Sequence, residues 1–183
     1  VAGLDRLPMR LEKADTCGSH LCVDPTTEDG LDALQSFTRE RGLDGAVIAF
    51  GGEATTVFKM LVGQIKRAPD THQMGRIVIV GGARIDHQFA ASLGNLDVRS
   101  AARTGPGYHD EDWEHGQDYP SVFVDWNTNR NMEECLNFMA LGRILVEPLI
   151  THRVSLSDAP DACEALLETP NDALGVVIQP QDG

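Results

Sequence analysis

Short apolar runs alternate with helical segments along most of this chain, and this alternation constrains its fold more than any other feature. The clearest runs are Ala46–Phe50 (AVIAF) and Gly75–Val80 (GRIVIV), each followed by two glycines. Runs of this length suit strands that are buried on both faces of a sheet. Because strands that alternate with helices pair in parallel through crossover connections, the pattern predicts an α/β fold with helices on both faces of a parallel sheet.

The other elements follow from periodicity and from glycine or proline boundaries. Further strands are expected at Val1–Asp5, His20–Asp24, Leu96–Ala101 and Leu174–Ile178, with another apolar run at Ile144–Ile150. Helices are expected from Met9 to about Gly18 and over Glu28–Arg41, Thr55–Arg67, Asn129–Leu141 and Pro160–Leu167. The fourth of these helices aligns Met132, Cys135, Leu136 and Met139 on one face. A chain of 183 residues suits one domain, spanning residues 1–183.

Net charge excludes two classes of partner. The chain carries 28 acidic and 15 basic residues, a formal charge of -13. Such a protein is repelled by the phosphates of nucleic acid and by anionic lipid surfaces. No apolar run approaches the roughly 20 residues that span a bilayer, and the amino terminus has no signal pattern. The sequence predicts a cytoplasmic protein that binds neither nucleic acid nor membrane.

The cysteines do not form a zinc-binding pattern. Cys17 and Cys22 are five residues apart, and Cys135 and Cys163 stand alone. This spacing favours buried or half-buried free thiols in a reducing compartment over disulfides or zinc ligands.

Four segments occur in the order found in one enzyme family. They are VAGLD followed by Arg10, Ala14 and Gly18, then SFTRERGLDGAVIAFGG, GRIVIVGG and LITHRVSLSDAPDACEALL. Together they resemble the nucleotide-binding domain of medium-chain (zinc-type alcohol) dehydrogenases. The resemblance implies a Rossmann-like sheet, NAD or NADP as cofactor, and hydride transfer to or from an alcohol or carbonyl.

The segment from Gly105 to Ile144 resembles a subgroup fused to Gfo/Idh/MocA-type oxidoreductases, which points to a sugar-derived substrate. The chain departs from the family in lacking the glycine-rich turn between the first strand and first helix, where the cofactor pyrophosphate binds. It starts at the equivalent of the second strand, so the fold is expected to be truncated at the amino terminus. In the strand order 3-2-1-4-5-6, the absent strand is a central one. The domain that carries the catalytic zinc ligands is also absent, so no zinc is expected in this chain.

Asp5 is the sharpest candidate for cofactor binding. An acid at the end of this strand accepts hydrogen bonds from both ribose hydroxyls and repels the extra phosphate of NADP, which favours NAD. A strand-end aspartate that caps the helix opened by Pro8 is an equally simple interpretation. Arg10 is expected either near the adenine or as a solvated helix residue.

Two glycine pairs, Gly51–Gly52 and Gly81–Gly82, follow parallel strands at their carboxyl ends. Ligands bind at these ends in open α/β sheets, so both pairs, with the preceding Phe50 and Val80, are expected near the ribose and nicotinamide. Tight strand-to-helix turns are the alternative explanation for the glycines.

A polar loop over Arg103–Asp118 interrupts the alternation. It contains a dense set of side chains suited to metal binding or acid–base chemistry: Tyr108, His109, Asp110, Asp112, Trp113, Glu114 and His115. The spacing matches no metal motif, and a solvated surface loop explains the same residues. His152 is expected to make a structural hydrogen bond, and no residue can be assigned a catalytic role.

A second hypothesis is a non-catalytic binding or assembly module that keeps the fold without the glycine turn. A sheet without its central strand exposes unpaired backbone on the neighbouring strands, and pairing with another strand relieves this. The sequence therefore also predicts a homo-oligomer, with exchanged strands forming a dimer as one arrangement.

Overall fold

The computed structural model describes residues 1–88, 93–101, 104–107 and 109–180. Its strands are β1 (Ala2–Leu4), β2 (Leu21–Val23), β3 (Gly45–Ile48), β4 (Gly52–Glu53), β5 (Met74–Val80), β6 (Ala83–Arg84), β7 (Asn95–Ala101), β8 (Ile150–Ser155) and β9 (Gly175–Gln179). Its helices are α1 (Pro8–Thr16), α2 (Glu28–Phe37), α3 (Thr55–Gln64), α4 (Glu111–Glu114), α5 (Thr128–Ala140) and α6 (Ala159–Glu168). Short 3-10 turns lie at Glu147–Leu149 and Pro170–Asp172.

The chain divides into two compact units, which are named here for their place in the sequence. The terminal unit comprises Val1–Leu34 and Glu133–Gly183, and the middle unit is Gln35–Met132.

The terminal unit contains two pairs of parallel strands. In the first, β1 lies beside β2, with Gly3 opposite Cys22. In the second, β8 lies beside β9, with Val154 opposite Ile178. The connecting helices α1 and α6 carry Pro8 and Pro160 in their first turns, where the fixed φ of proline suits the helix.

The middle unit contains a parallel sheet in the order β3-β5-β7. Ile77 on β5 lies opposite Ala46 on β3 and Val98 on β7. Beyond the carboxyl ends of β3 and β5, the chain continues into the short parallel pair β4-β6. The segments that follow β3 and β5 therefore remain side by side beyond the main sheet.

Helix α3 covers one face of this sheet. Phe58 and Leu61 of the helix are 1% and 3% exposed, and Ile48 and Ile77 of the sheet are 1% and 0% exposed. Burying large apolar side chains stabilises a fold by about 1.5–3 kcal/mol each, so this layer is the core of the middle unit.

The opposite face of the same sheet is open. Val47 is 64% exposed and Val80 is 42% exposed, so the prediction that Ala46–Phe50 is buried on both faces is wrong. Helix α5 also differs from expectation. It has no buried residue, and its predicted core side chains Met132 and Leu136 are 55% and 63% exposed. No described residue covers the exposed apolar side chains of this sheet face or those of α5.

The predicted α/β fold with parallel strands and intervening helices is confirmed. In the family's strand order 3-2-1-4-5-6, strands 2 and 3 form one group beside strand 1, and strands 4, 5 and 6 form the other. The corresponding groups in this chain, β1-β2 and β3-β5-β7, both form. Within the described residues β1 pairs only with β2, and β3 only with β5 and not with a second strand on its other edge. Among these residues, no helix is long and apolar enough to cross a membrane.

Candidate functional site

In the middle unit, the two predicted glycine pairs lie side by side. The N–H of Gly52 donates a hydrogen bond to the carbonyl oxygen of Gly82 at 3.1 Å. Gly52 and Gly81 have φ angles of 90° and 91°, which L side chains rarely adopt, so these turns require glycine. The interpretation of the pairs as strand-to-helix turns is wrong, because Gly52 begins strand β4 and Gly81–Gly82 connect β5 to strand β6.

The glycine turns leave open space. A Cβ atom added at Gly52, Gly81 or Gly82 would have no neighbouring atom within 4 Å, and one at Gly51 would lie 3.8 Å from the carbonyl oxygen of Gly82. Phe50 and Val80, which precede the pairs, are both 42% exposed. The carboxyl ends of β3 and β5 thus present backbone, open space and two apolar side chains.

A polar group that the sequence analysis missed adjoins these turns. Glu53 accepts a hydrogen bond from the N–H of Thr55 at 2.9 Å and forms an ion pair with Arg84 at 3.3 Å. The hydrogen bonds from Thr55, and then Arg84, lower the pKa of Glu53. The sequence contained a signal for this ion pair, because a charged residue follows each glycine pair within two positions.

In the terminal unit, the structure brings Asp5 and Arg10 together at the carboxyl end of β1. One Asp5 oxygen accepts a hydrogen bond from the N–H of Leu7 at 2.9 Å, and the other lies 3.6 Å from a guanidinium nitrogen of Arg10. Leu7, not Asp5, is the cap residue of α1, and no side chain caps that helix. The interpretation of Asp5 as a helix cap is therefore wrong, although its carboxylate does hold the preceding turn.

Arg10 differs from a freely solvated helix residue. Its Nε atom is buried and has no hydrogen-bond partner among the described residues. Its side chain is 36% exposed overall, so the residue is only partly solvated.

The polar loop is more ordered than a solvated connector. Asp110 caps α4 by accepting a hydrogen bond from the N–H of Trp113, and it also accepts one from the hydroxyl of Tyr119. The bond from Tyr119, and then that from Trp113, lowers the pKa of Asp110, while Asp110 raises the pKa of Tyr119. Gly107 lies against the indole of Trp113, where a Cβ atom would come within 2.6 Å of the ring.

The remaining side chains of the predicted loop cluster do not converge. The backbone N–H of His109 donates to Glu114 at 3.1 Å, and His115 bonds the carbonyl oxygen of Glu111 at 2.7 Å. Asp112 is exposed, and Tyr108 lies outside the described residues. Among the described residues, no group of three or more His, Cys, Asp or Glu side chains is arranged to hold a metal ion.

Two further predictions concern single residues. His152 forms a hydrogen bond with the Thr151 hydroxyl at 2.9 Å, as expected for a structural histidine. All four cysteines are free thiols, but Cys17, Cys135 and Cys163 are exposed, so the predicted burial is wrong for these three. Cys22 is half-buried, as expected.

Comparison with known proteins finds similarity between this chain and several dehydrogenases. The chain is 23% identical to the sorbitol dehydrogenase of Bacillus subtilis strain 168 over 96% of this chain and 42% of that protein. It superposes with a TM-score of 0.66 on a short chain alcohol dehydrogenase from Escherichia coli CFT073 in complex with NADH, at 18% identity and covering 98% of this chain and 44% of that one. Alcohol dehydrogenase TADH from Thermus sp. ATN1 gives a TM-score of 0.64 at 22% identity, covering 97% of this chain and 44% of that one.

The chain has the fold of a dehydrogenase nucleotide-binding domain. The predicted resemblance to zinc-type alcohol dehydrogenases is confirmed, and this chain spans less than half the length of the relatives it matches. No protein-family model matches the sequence.

Proposed function

We propose that this chain forms part of the cofactor-binding domain of an NAD-dependent medium-chain oxidoreductase. The complete enzyme moves hydride between nicotinamide and an alcohol or carbonyl substrate. Two findings support this proposal: the sequence similarity to a sorbitol dehydrogenase and the shared fold with an alcohol dehydrogenase that was solved with NADH.

The open, glycine-lined ends of β3 and β5 carry the proposal. In open α/β sheets, ligands bind outside the carboxyl ends of parallel strands. The absence of any atom within 4 Å of a Cβ at Gly52, Gly81 or Gly82 leaves room for a ligand to approach the backbone. The residues proposed to contact the ribose and nicotinamide are Phe50, Gly51, Gly52, Val80, Gly81 and Gly82.

In this proposal, NAD supplies the hydride chemistry when bound, and the chain binds and orients it. Phe50 and Val80 offer exposed apolar side chains on which an aromatic ring can pack.

Asp5 and Arg10 are proposed to bind the adenosine part of the cofactor. Only one oxygen of Asp5 holds the turn at Leu7, and the long 3.6 Å ion pair leaves the second oxygen able to accept a ribose hydroxyl. The carboxylate would repel the additional phosphate of NADP, so NAD is the proposed cofactor.

Fluorescence titration with NADH tests the glycine-lined site. Gly82→Leu fills the open space without strain, because Gly82 does not have a positive φ. We expect this variant to weaken NADH binding at least about tenfold. Gly63→Leu is the matched control, since a side chain at Gly63 on α3 also meets no atom within 4 Å and should leave NADH binding unchanged. Absence of NADH binding by the unaltered chain would overturn the proposal for this chain.

Competition between NADH and NADPH tests Asp5. Asp5→Asn keeps an oxygen that can accept the Leu7 N–H but removes the negative charge. The preference for NADH over NADPH should fall in this variant, and an unchanged preference would remove Asp5 from the proposed site.

A binding or assembly module is the second candidate, favoured by the edges of β1 and β3 that pair with no other strand among the described residues. An intimate dimer without affinity for NADH would support it, whereas tight NADH binding would argue against it. A sugar-derived alcohol as substrate is a further part of the first proposal, supported by the sequence resemblance. A cytoplasmic location is also proposed, on the same sequence pattern that predicted it.

A further inference from the structure

The polar loop between β7 and α5 begins at the edge of the sheet that carries the glycine pairs. Ala101, the last residue of β7, lies opposite Val80, which directly precedes Gly81. Three residues of chain span at most about 11 Å, so Thr104 lies within that distance of Ala101. The first described residues of the loop therefore lie at the carboxyl edge of the middle unit, beside the proposed cofactor site.

The start of α5 binds this part of the loop at three consecutive carbonyl groups. The side-chain amide of Asn131 donates a hydrogen bond to the carbonyl oxygen of Thr104 at 2.7 Å. The hydroxyl of Thr128 lies 3.3 Å from the carbonyl oxygen of Gly105 and 3.1 Å from that of Pro106. The N–H of Thr128 also donates to Pro106, at 3.0 Å. Because three successive carbonyl groups are bound, the turn over residues 104–106 is held in one conformation.

A second set of contacts closes the rest of the loop. The Asp110 carboxylate accepts hydrogen bonds from the Tyr119 hydroxyl and the Trp113 N–H, nine and three residues further along the chain. The bond from Tyr119, and then that from Trp113, lowers the pKa of Asp110, so the carboxylate is ionised at neutral pH and both bonds are charge-assisted. The indole of Trp113 lies against Gly107, where a Cβ atom would come within 2.6 Å of the ring. Asp110 and Tyr119 therefore tie α4 and the Trp113 ring to the residue that follows the turn.

We propose that this loop forms a wall of the NADH site on its nicotinamide side, and that Asp110 and Tyr119 are positioning residues for residues 104–107. The pair acts through Trp113 and Gly107 and does not itself touch the cofactor. A wall that is fixed before binding raises affinity, because the cofactor does not have to order it. Long loops between regular elements are commonly functional, which fits this role. The inference rests on the proposed function, since it concerns the same site.

Isothermal titration calorimetry with NADH and with ADP-ribose, which lacks the nicotinamide, tests the role of the loop. Tyr119→Phe removes the hydroxyl that bonds Asp110 and keeps the ring. We expect NADH binding to weaken about three- to tenfold and ADP-ribose binding to stay unchanged. Thr38→Val is the matched control, because it removes a hydroxyl that bonds Gln35 just after α2, before the amino end of β3. It should change neither affinity.

Thr128→Val tests the other set of contacts. This variant keeps the shape of the side chain but removes the hydroxyl that bonds the carbonyl oxygens of Gly105 and Pro106. It should also weaken NADH binding about three- to tenfold without changing ADP-ribose binding. Circular dichroism checks that each variant folds.

Asp110 separates positioning from a general loss of structure. Asp110→Ala should weaken NADH binding, and Asp110→Asn should restore most of it, because asparagine keeps an acceptor for the Trp113 N–H and an amide that can bond the Tyr119 hydroxyl. Unchanged NADH binding in Tyr119→Phe and Thr128→Val would overturn the inference, as would equal losses of NADH and ADP-ribose binding. An unaltered chain that binds no NADH would instead overturn the proposed function, and this inference with it.

Discussion

The two faces of the β3-β5-β7 sheet both carry apolar side chains of β3 and β5 but have opposite environments. On one face, Ile48 and Ile77 are buried under Phe58 and Leu61 of α3. On the other face, Val47 is exposed and the arginines beside it pair with Asp97. The first face is therefore held by apolar packing, and the second by surface ion pairs, which contribute much less to stability.

This difference shows how little a strand sequence says about what covers it. Val47 and Ile48 are neighbours of the same chemical class, so the sequence of β3 does not distinguish the two faces. Only the position of α3 decides which of them is buried.

Truncating the covered face should have the largest effect. Ile48→Ala removes a side chain that is 1% exposed and leaves a cavity between the sheet and α3. We expect the free energy of unfolding to fall by about 2–5 kcal/mol, as for other buried isoleucines. Urea unfolding followed by circular dichroism measures this change. A loss below about 0.5 kcal/mol would mean that the two faces do not differ as the structure indicates.

Gly75 allows the covered face to pack closely, and its substitution should have the next largest effect. Its φ is 115°, and a Cβ atom would lie 2.8 Å from the carbonyl oxygen of Asp44 and 3.0 Å from Cγ2 of Ile65. Gly75→Ala should lower the free energy of unfolding by about 1–3 kcal/mol. Gly82→Ala, at a position with free space and no positive φ, is the control and should behave like the wild type in the same unfolding experiment.

Asp97 tests the charged part of the open face through its pH dependence. Hydrogen bonds from Arg99, and then Arg76, lower the pKa of Asp97 in the folded chain. A lowered folded-state pKa stabilises the fold above the unfolded value, about 3.9, and this contribution is lost as the pH falls through the folded-state pKa. Asp97→Asn should therefore be less stable than the wild type at pH 7, and the gap should narrow below about pH 4.

Urea midpoints of the two proteins between about pH 7 and pH 2.5 measure this gap. A difference that is independent of pH would show that the ion pairs of Asp97 do not stabilise the open face. High salt should also reduce the difference at pH 7, since the groups are exposed.

Val47→Ala, one residue from Ile48, should have the smallest effect. Its side chain is 64% exposed, so truncation leaves no cavity within a single chain. We expect a change below about 0.5 kcal/mol in the free energy of unfolding. A loss as large as that of Ile48→Ala would mean that the open face is covered within the single chain.

Much of the fold followed from local patterns. The apolar runs between glycines predicted β3 and β5 to within two residues, and the crossover argument predicted their parallel pairing. The short pair β4-β6 was not predicted, because two-residue strands have no periodicity to detect. Helix α5 was predicted to within one residue at each end, but its apolar stripe was wrongly assigned to the core.

The candidate site was only partly predictable. The glycine pairs were identified from their place after apolar runs, and the structure brings Gly52 and Gly82 together. The pairing of Glu53 with Arg84 depends on the register of β4 and β6, which lie about thirty residues apart in sequence. The loop residues His109–His115 could not be interpreted from spacing, since their hydrogen bonds, from His109 to Glu114 and from His115 to Glu111, depend on the local fold around α4.

The sequence alone determined the element types, the parallel pairing and the acidic surface, because these depend on local periodicity, turn residues and net charge. The tertiary structure decided which apolar faces are buried, and which side chains meet beside the glycine pairs. It also left Val47 and the apolar side chains of α5 uncovered by the described residues. The physical reason is that burial is a property of pairs of surfaces. A single strand or helix specifies its apolar face, but not whether another element covers it.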